Sequence, residues 1–252
     1  MTDDLVHYTC LAGVARIVLA RPAVANAVDL PTARALGTAF GRAAADPDAR
    51  AVLVSGEGKR FCAGGDVAAM AAAPDREAYL EELAGTLDGA LRSLARLDKP
   101  VVAAVQGAVA GAGIALMLSC DLIVAAASTK FLLAYASVGL TPDCGVSYLL
   151  PRAVGQQRAL ELALTDRRLT ADEARAWGLV AEVVDDDLCG ERALKLGEQL
   201  AAGPAFALGQ AKRLLRSSWQ TSRAQTGGDE ARVIAEAITK PPARAAVDRF
   251  TS

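Results

Sequence analysis

A chain of 252 residues, 52% of them hydrophobic, carries enough apolar side chain for a sizeable core and suits one main domain with a helical appendage. Its 27 Lys and Arg against 29 Asp and Glu leave a net charge of −2, which offers no basic field to nucleic-acid phosphates. Only 4% of residues are aromatic, so the core is expected to depend on close packing of alanine-rich helices rather than on large rings.

From the N-terminus, MTDDLVHY is acidic and lacks the basic-then-apolar plan of a secretory leader. Short apolar runs at 14–19, 51–55, 101–104 and 122–126 predict buried strands. Between them, 31–45 (PTARALGTAFGRAAA) predicts a helix with Pro31 in its first turn, ended by Asp46-Pro47-Asp48. A second helix is predicted over 75–97, closing at Asp98-Lys99-Pro100. Alternation of this kind implies an α/β fold with crossover connections.

Residues 100–120 contain no charge, and Gly107 and Gly111 fit GxxxG, so length alone would allow a membrane span of about 20 residues. The β-branched run at 101–105, the break at Gln106-Gly107 and the glycines at 111 and 113 divide the stretch instead into strand, loop and buried helix. No membrane partner is expected. After Pro151 the pattern becomes helical. Residues 156–164 are apolar on one face, Thr170 to Glu173 has the form of a capping box, and Trp177-Gly178-Leu179 ends the helix it opens. From Leu188 onward apolar residues alternate with Lys, Arg and Glu at helical spacing, which suits a surface layer or an oligomer contact. The expected division is a core over 1–190 and a C-terminal helical region over 191–252.

The five cysteines, Cys10, Cys62, Cys120, Cys144 and Cys189, are far apart, odd in number and form no CxxC pair, as expected for reduced thiols in the cytoplasm. The sole histidine is His7, and no cluster of ligand residues suggests a metal.

Two stretches concentrate small residues after predicted strands: FCAGGD at 61–66 and GAVAGAG at 107–113. Glycine is common at turns, and both stretches could be no more than that. A dinucleotide loop is disfavoured, because Leu116 stands where a third glycine is needed. A glycine-alanine loop opening a helix also presents unpaired N–H groups at the positive end of the helix dipole. Two such loops on neighbouring strands could aim two amides at one oxygen, an oxyanion hole in which losing one donor costs roughly 3 to 4 kcal/mol in the transition state.

RPAVANAV at 21–28, GKRFCAGGDV at 58–67, KPVVAAVQGAVAGAGIALMLSCDLIVAA at 99–126, VGLTPDCGVSYLLPRAVG at 138–155 and LTADEARAWGLVAEVV at 169–184 resemble, in order, the landmarks of the crotonase family of enoyl-CoA hydratases and isomerases. The resemblance covers most of the chain. It implies a spiral of ββα units, a C-terminal helical layer used in forming a homotrimer or a hexamer of two trimers, and an acyl-CoA thioester whose coenzyme A is part of the substrate, with no separate cofactor. Carried over by position, it places oxyanion-hole amides at Ala63 and Ala112, with Gly64, Gly65, Asp66, Ala115, Tyr135, Ala23 and Ala25 around the substrate. The two catalytic glutamates of a hydratase fall on Ala115 and Tyr135, neither of which is a carboxylate base. Asp143, in TPDCG, matches the aspartate that resembles the catalytic one in ring-epoxide isomerases of phenylacetyl-CoA degradation. Its plain alternative is a helix N-cap. Asp66 is expected to tie its own loop in place. Dehalogenase and Ser-His-Asp chemistry both need a histidine that the motifs do not supply. The implied function is an acyl-CoA isomerase with Asp143 as proton shuttle; a hydratase and a non-catalytic acyl-CoA binder are the alternatives. Relatives continue past DRFTS into a basic segment near the coenzyme A nucleotide, and Phe250 is expected beside a neighbouring subunit's pocket.

Overall fold

A computed structural model describes residues 4–251; the side chains of Phe250 and Thr251 lie outside the described set, and the expected contact of Phe250 lies there too. β1 (Val6–Leu11) and β2 (Val14–Leu19) form an antiparallel hairpin through Ala12 and Gly13, at φ 52° and 78°. Positive φ at both turn residues lets a two-residue connection match the twist of the strands. In α1 (Leu30–Ala45) the Asp29 side chain accepts the Thr32 N–H at 2.9 Å, and Leu36, Ala39, Phe40 and Ala43 form one buried stripe. β3 (Ala51–Gly56) follows, then α2 (Val67–Ala72) and α3 (Arg76–Ala95), capped by Asp66 and Asp75.

The uncharged stretch divides into β4 (Val101–Val105), β5 (Ala108–Ala110) and α4 (Ala112–Ser119), and is followed by β6 (Leu122–Ala126) and β7 (Lys130–Leu132). Next come α5 (Val146–Val154), α6 (Gln156–Thr165), β8 (Leu169–Thr170), α7 (Ala171–Ala176), β9 (Glu182–Val184) and α8 (Cys189–Ala202). The expected capping box is present at Thr170 and Glu173. α9 (Ala205–Ser217), α10 (Arg223–Ala237) and α11 (Pro241–Thr251) complete the chain. No helix among the described residues is long and apolar enough to cross a membrane.

The main sheet has the order β1-β2-β3-β4-β6-β9, parallel from β2 onward, and a smaller sheet has the order β5-β7-β8. Side-chain alternation gives the main sheet two buried faces. Ile17, Val52, Val54, Ala103 and Val105 face the larger core with α1, α3 and α4, whereas Val14, Ala51, Leu53, Val102 and Val124 pack on Cys189, Ala193 and Ala201 of α8. The expected boundary at 190/191 therefore falls inside a helix that covers the sheet. The helices beyond it begin with α9.

Asp121 ties α9 to the sheet: its carboxylate accepts the Val101 N–H at 2.8 Å and pairs with Lys212 Nζ and Arg216 Nη2, both at 2.8 Å. Burial holds the Lys212 ammonium below the usual lysine range, and Asp121 opposes that shift. Asp121→Ala would leave two cations without their anion, and since Asp121 is itself only partly buried we expect a loss of about 2 kcal/mol, read as a lower midpoint in urea unfolding.

Candidate active site

The site begins at Asn26, fully buried at φ 54°. Its Oδ1 accepts the Arg21 N–H at 2.9 Å, and its Nδ2 donates to Glu57 O at 2.9 Å and Arg60 O at 2.8 Å, pinning the chain that leaves β2 against the loop that leaves β3. From there residues 25–28 run alongside 63–66: Ala63 N–H donates to Ala25 O at 3.1 Å, Val28 N–H to Gly64 O at 2.8 Å and Asp66 N–H to Val28 O at 2.9 Å. In this run the N–H groups of Gly64 and Gly65 have no backbone acceptor among the described residues; that of Gly64 turns to the Cys62 sulfur, which leaves the Gly65 N–H available.

The second loop leaves the neighbouring parallel strand β4. Ala110 N–H donates to Cys62 O at 3.1 Å and Gly111 N–H to Leu132 O at 3.3 Å, while Ala112, the first residue of α4, has the unpaired N–H of a helix start. The two loops touch. A Cβ on Gly64, at φ 102°, would stand 3.0 Å from Ala110 O and 3.6 Å from Ala112 N; one on Gly113 would stand 2.4 Å from Cys62 O. Glycine is needed at both positions because backbone meets backbone there. The sequence expectation placed one donor at Ala63, but that N–H is committed to Ala25 O. The available amide of this loop is at Gly65.

Both amides border a cavity of about 440 Å³. Ala63, Gly64, Gly65, Gly111 and Ala112 form one wall; Leu80, Leu83, Ala84 and Leu87 of α3 supply an apolar one; Tyr135, Val138, Leu140 and Asp143 close a third side. Tyr135 Oη donates to Asp143 Oδ1 at 2.7 Å. Burial, then the charge and hydrogen bond of Asp143, push the Tyr135 phenol far above the usual tyrosine range, so it stays a neutral donor. Asp143 is not an N-cap: α5 starts after Gly145, which makes no side-chain cap, and the Asp143 carboxylate lines the cavity with Tyr135 and the Cys144 thiol as its hydrogen-bonding neighbours. Burial, with the Asp143 charge, likewise raises the adjacent Cys144 thiol, which is thereby protonated and a poor nucleophile.

Four expected substrate contacts do not line the cavity. Ala115 is fully buried within α4. Asp66 caps α2 through the Ala69 N–H at 3.1 Å and pairs with Arg21 at 3.0 Å, the loop-fixing role foreseen for it. Ala23 lies in a 3-10 turn over Pro22–Val24, and Ala25 offers its carbonyl to Ala63. His7 sits on β1 beside Glu57, with its side chain 48% exposed. Conversely, Glu77 and Glu81 of α3, which belong to no sequence motif above, do line the cavity. Their spacing puts them on one helix face, but spacing does not tell what that face covers.

Residues 9–251 match the family model described as Enoyl-CoA hydratase/isomerase. The chain is 38% identical to a 1,2-epoxyphenylacetyl-CoA isomerase of Escherichia coli strain K12, over 82% of this chain and 79% of the relative. It is 35% identical to a 4-chlorobenzoyl coenzyme A dehalogenase of an Arthrobacter species, over 88% of this chain and 82% of the relative. A crystal structure of an enoyl-CoA hydratase from Mycobacterium smegmatis superposes with a TM-score of 0.91 at 32% identity, covering 98% of this chain and 96% of that one.

Proposed function

Because the chain belongs to the enoyl-CoA hydratase/isomerase family, we propose that it isomerises an acyl-CoA thioester, shifting a double bond or rearranging an aryl epoxide. The observation that carries this reading is Asp143, a carboxylate in a largely apolar cavity that also holds the unpaired amides of Gly65 and Ala112. The thioester oxygen sits between the two N–H groups. Asp143 Oδ2 takes a proton from carbon, and the C–H electron pair moves onto the thioester oxygen as an enolate held by the amides. The protonated carboxyl then returns the proton to another carbon, which completes the double-bond shift. In an aryl epoxide the C–C bond shared by the two rings opens and its electron pair redistributes within the enlarged ring. In both cases nothing is gained or lost and no separate cofactor takes part. The similarity to an epoxyphenylacetyl-CoA isomerase supports the aryl branch. A cytoplasmic setting and a homotrimer or hexamer accompany this reading; Leu215 of α9 and Ile234 of α10, 72% and 71% exposed, support contact between copies.

One observation favours a second reading. Glu77 and Glu81 on the cavity wall supply carboxylates that could activate water in place of the glutamates missing at Ala115 and Tyr135, making the reaction a hydration. Incubation with enoyl-CoA and aryl-acetyl-CoA thioesters in heavy water separates the readings. Deuterium at carbon without further mass change is the expected result. A product heavier by one water would replace isomerisation with hydration, and no exchange on any thioester would leave only binding.

A further inference from the structure

We infer that Tyr135 is a positioning residue for the proposed base: its phenol holds Asp143 by one oxygen so that the other is presented to the substrate. The inference depends on the isomerase reading above. Tyr135 Oη donates to Asp143 Oδ1 at 2.7 Å, while the adjacent Cys144 thiol is a weaker sulfur donor to the same carboxylate. The terminal torsion of an aspartate is broad, so without a fixed donor its two oxygens exchange places readily. The donor here is fixed from three sides. Tyr135 is 8% exposed. Its carbonyl accepts the Leu140 N–H at 2.9 Å, closing the turn that carries it. Its ring also lies against the oxyanion loop, where a Cβ on Gly111 would come 3.9 Å from Tyr135 Cζ. One side chain thus sets the base relative to the loop whose next amide, Ala112, holds the developing charge.

Among the described residues, no cation is paired with Asp143. On α3, Glu77 and Glu81 line the same cavity, and Asp88, near Gly145, is paired with Arg92 at 2.8 Å. On the far side stand the neutral Tyr135 and Cys144. Orientation by a fixed hydrogen bond, rather than pairing with a cation, is therefore what the neighbours of this carboxylate supply.

Tyr135→Phe keeps the ring and removes only this bond. With solvent-deuterium uptake into phenylacetyl-CoA and turnover of a short 3-enoyl-CoA as readouts, the variant should lose kcat by about tenfold to a hundredfold while KM changes little. In an Asp143→Asn background the same change should cost nothing more, since Tyr135 acts through Asp143. Wild-type kcat in Tyr135→Phe, a loss that appears in KM rather than kcat, or a double variant slower than Asp143→Asn alone would each overturn the inference. Full activity in Asp143→Asn alone would instead remove the base reading itself, and the inference with it, so the two failures are distinguishable.

Discussion

Asp143→Asn should lower turnover by about a thousandfold, within the range general acid–base groups contribute, and leave thioester binding nearly intact. Asparagine has the shape of aspartate, and its amide oxygen can still accept the Tyr135 phenol at the 2.7 Å now occupied by Oδ1. The cavity walls and the Gly65 and Ala112 amides are untouched, so the ground-state complex keeps its contacts. Only the capacity to take and return a proton is lost. Steady-state kinetics beside calorimetric titration with an unreactive acyl-CoA would check this, with kcat collapsing and Kd within a few-fold of wild type. Should turnover stay within tenfold of wild type, the proton carrier is another group, and Glu77 and Glu81 are the carboxylates already in the cavity.

What the sequence disclosed divides along a physical line. The buried strands β2, β3, β4 and β6 were legible because both sheet faces are covered, so each is mostly apolar, with Arg16 the one charged residue among them. The helices α1 and α7 were legible from punctuation, Pro31 in one and the Thr170–Glu173 box in the other. The two- and three-residue strands β5, β7, β8 and β9 were not, since a strand that short has no period to detect and exists only because a partner is there to pair with. β1 was missed for a different reason: His7, Thr9 and Leu11 point outward on an edge strand, which dilutes its apolar content. Similarly, the site's residue types were visible as glycine-alanine loops and an isolated Asp143, but the assignment of one amide was not. Whether Ala63 or Gly65 keeps a free N–H depends on residues 25–28 lying alongside, a pairing between segments 37 residues or so apart for which local sequence holds no signal. The α3 wall, with Leu80, Leu83 and Glu81, was hidden likewise, because an amphipathic helix announces a face and not its neighbour.

Ala112→Pro is expected to lower kcat/KM by about a hundredfold to a thousandfold with little loss of fold stability. Ala112 is the first residue of α4, where the N–H has no helical acceptor and where the fixed φ of proline suits the helix. Gly111 before it stands at φ 49° and ψ −121°, a conformation outside the helical region that a following proline disfavours. The substitution thus deletes a hydrogen-bond donor from the backbone, something side-chain exchange rarely achieves. Residual activity should persist, because the Gly65 N–H remains on the opposite loop. Ala112→Gly, which keeps the N–H and adds no bulk, serves as the control and should stay within a few-fold of wild type. If the proline variant unfolds at the wild-type temperature yet retains wild-type kcat/KM, the thioester oxygen is not held at the start of α4. A large loss in the glycine control as well would mean that the alanine methyl, rather than its amide, is what the substrate needs there.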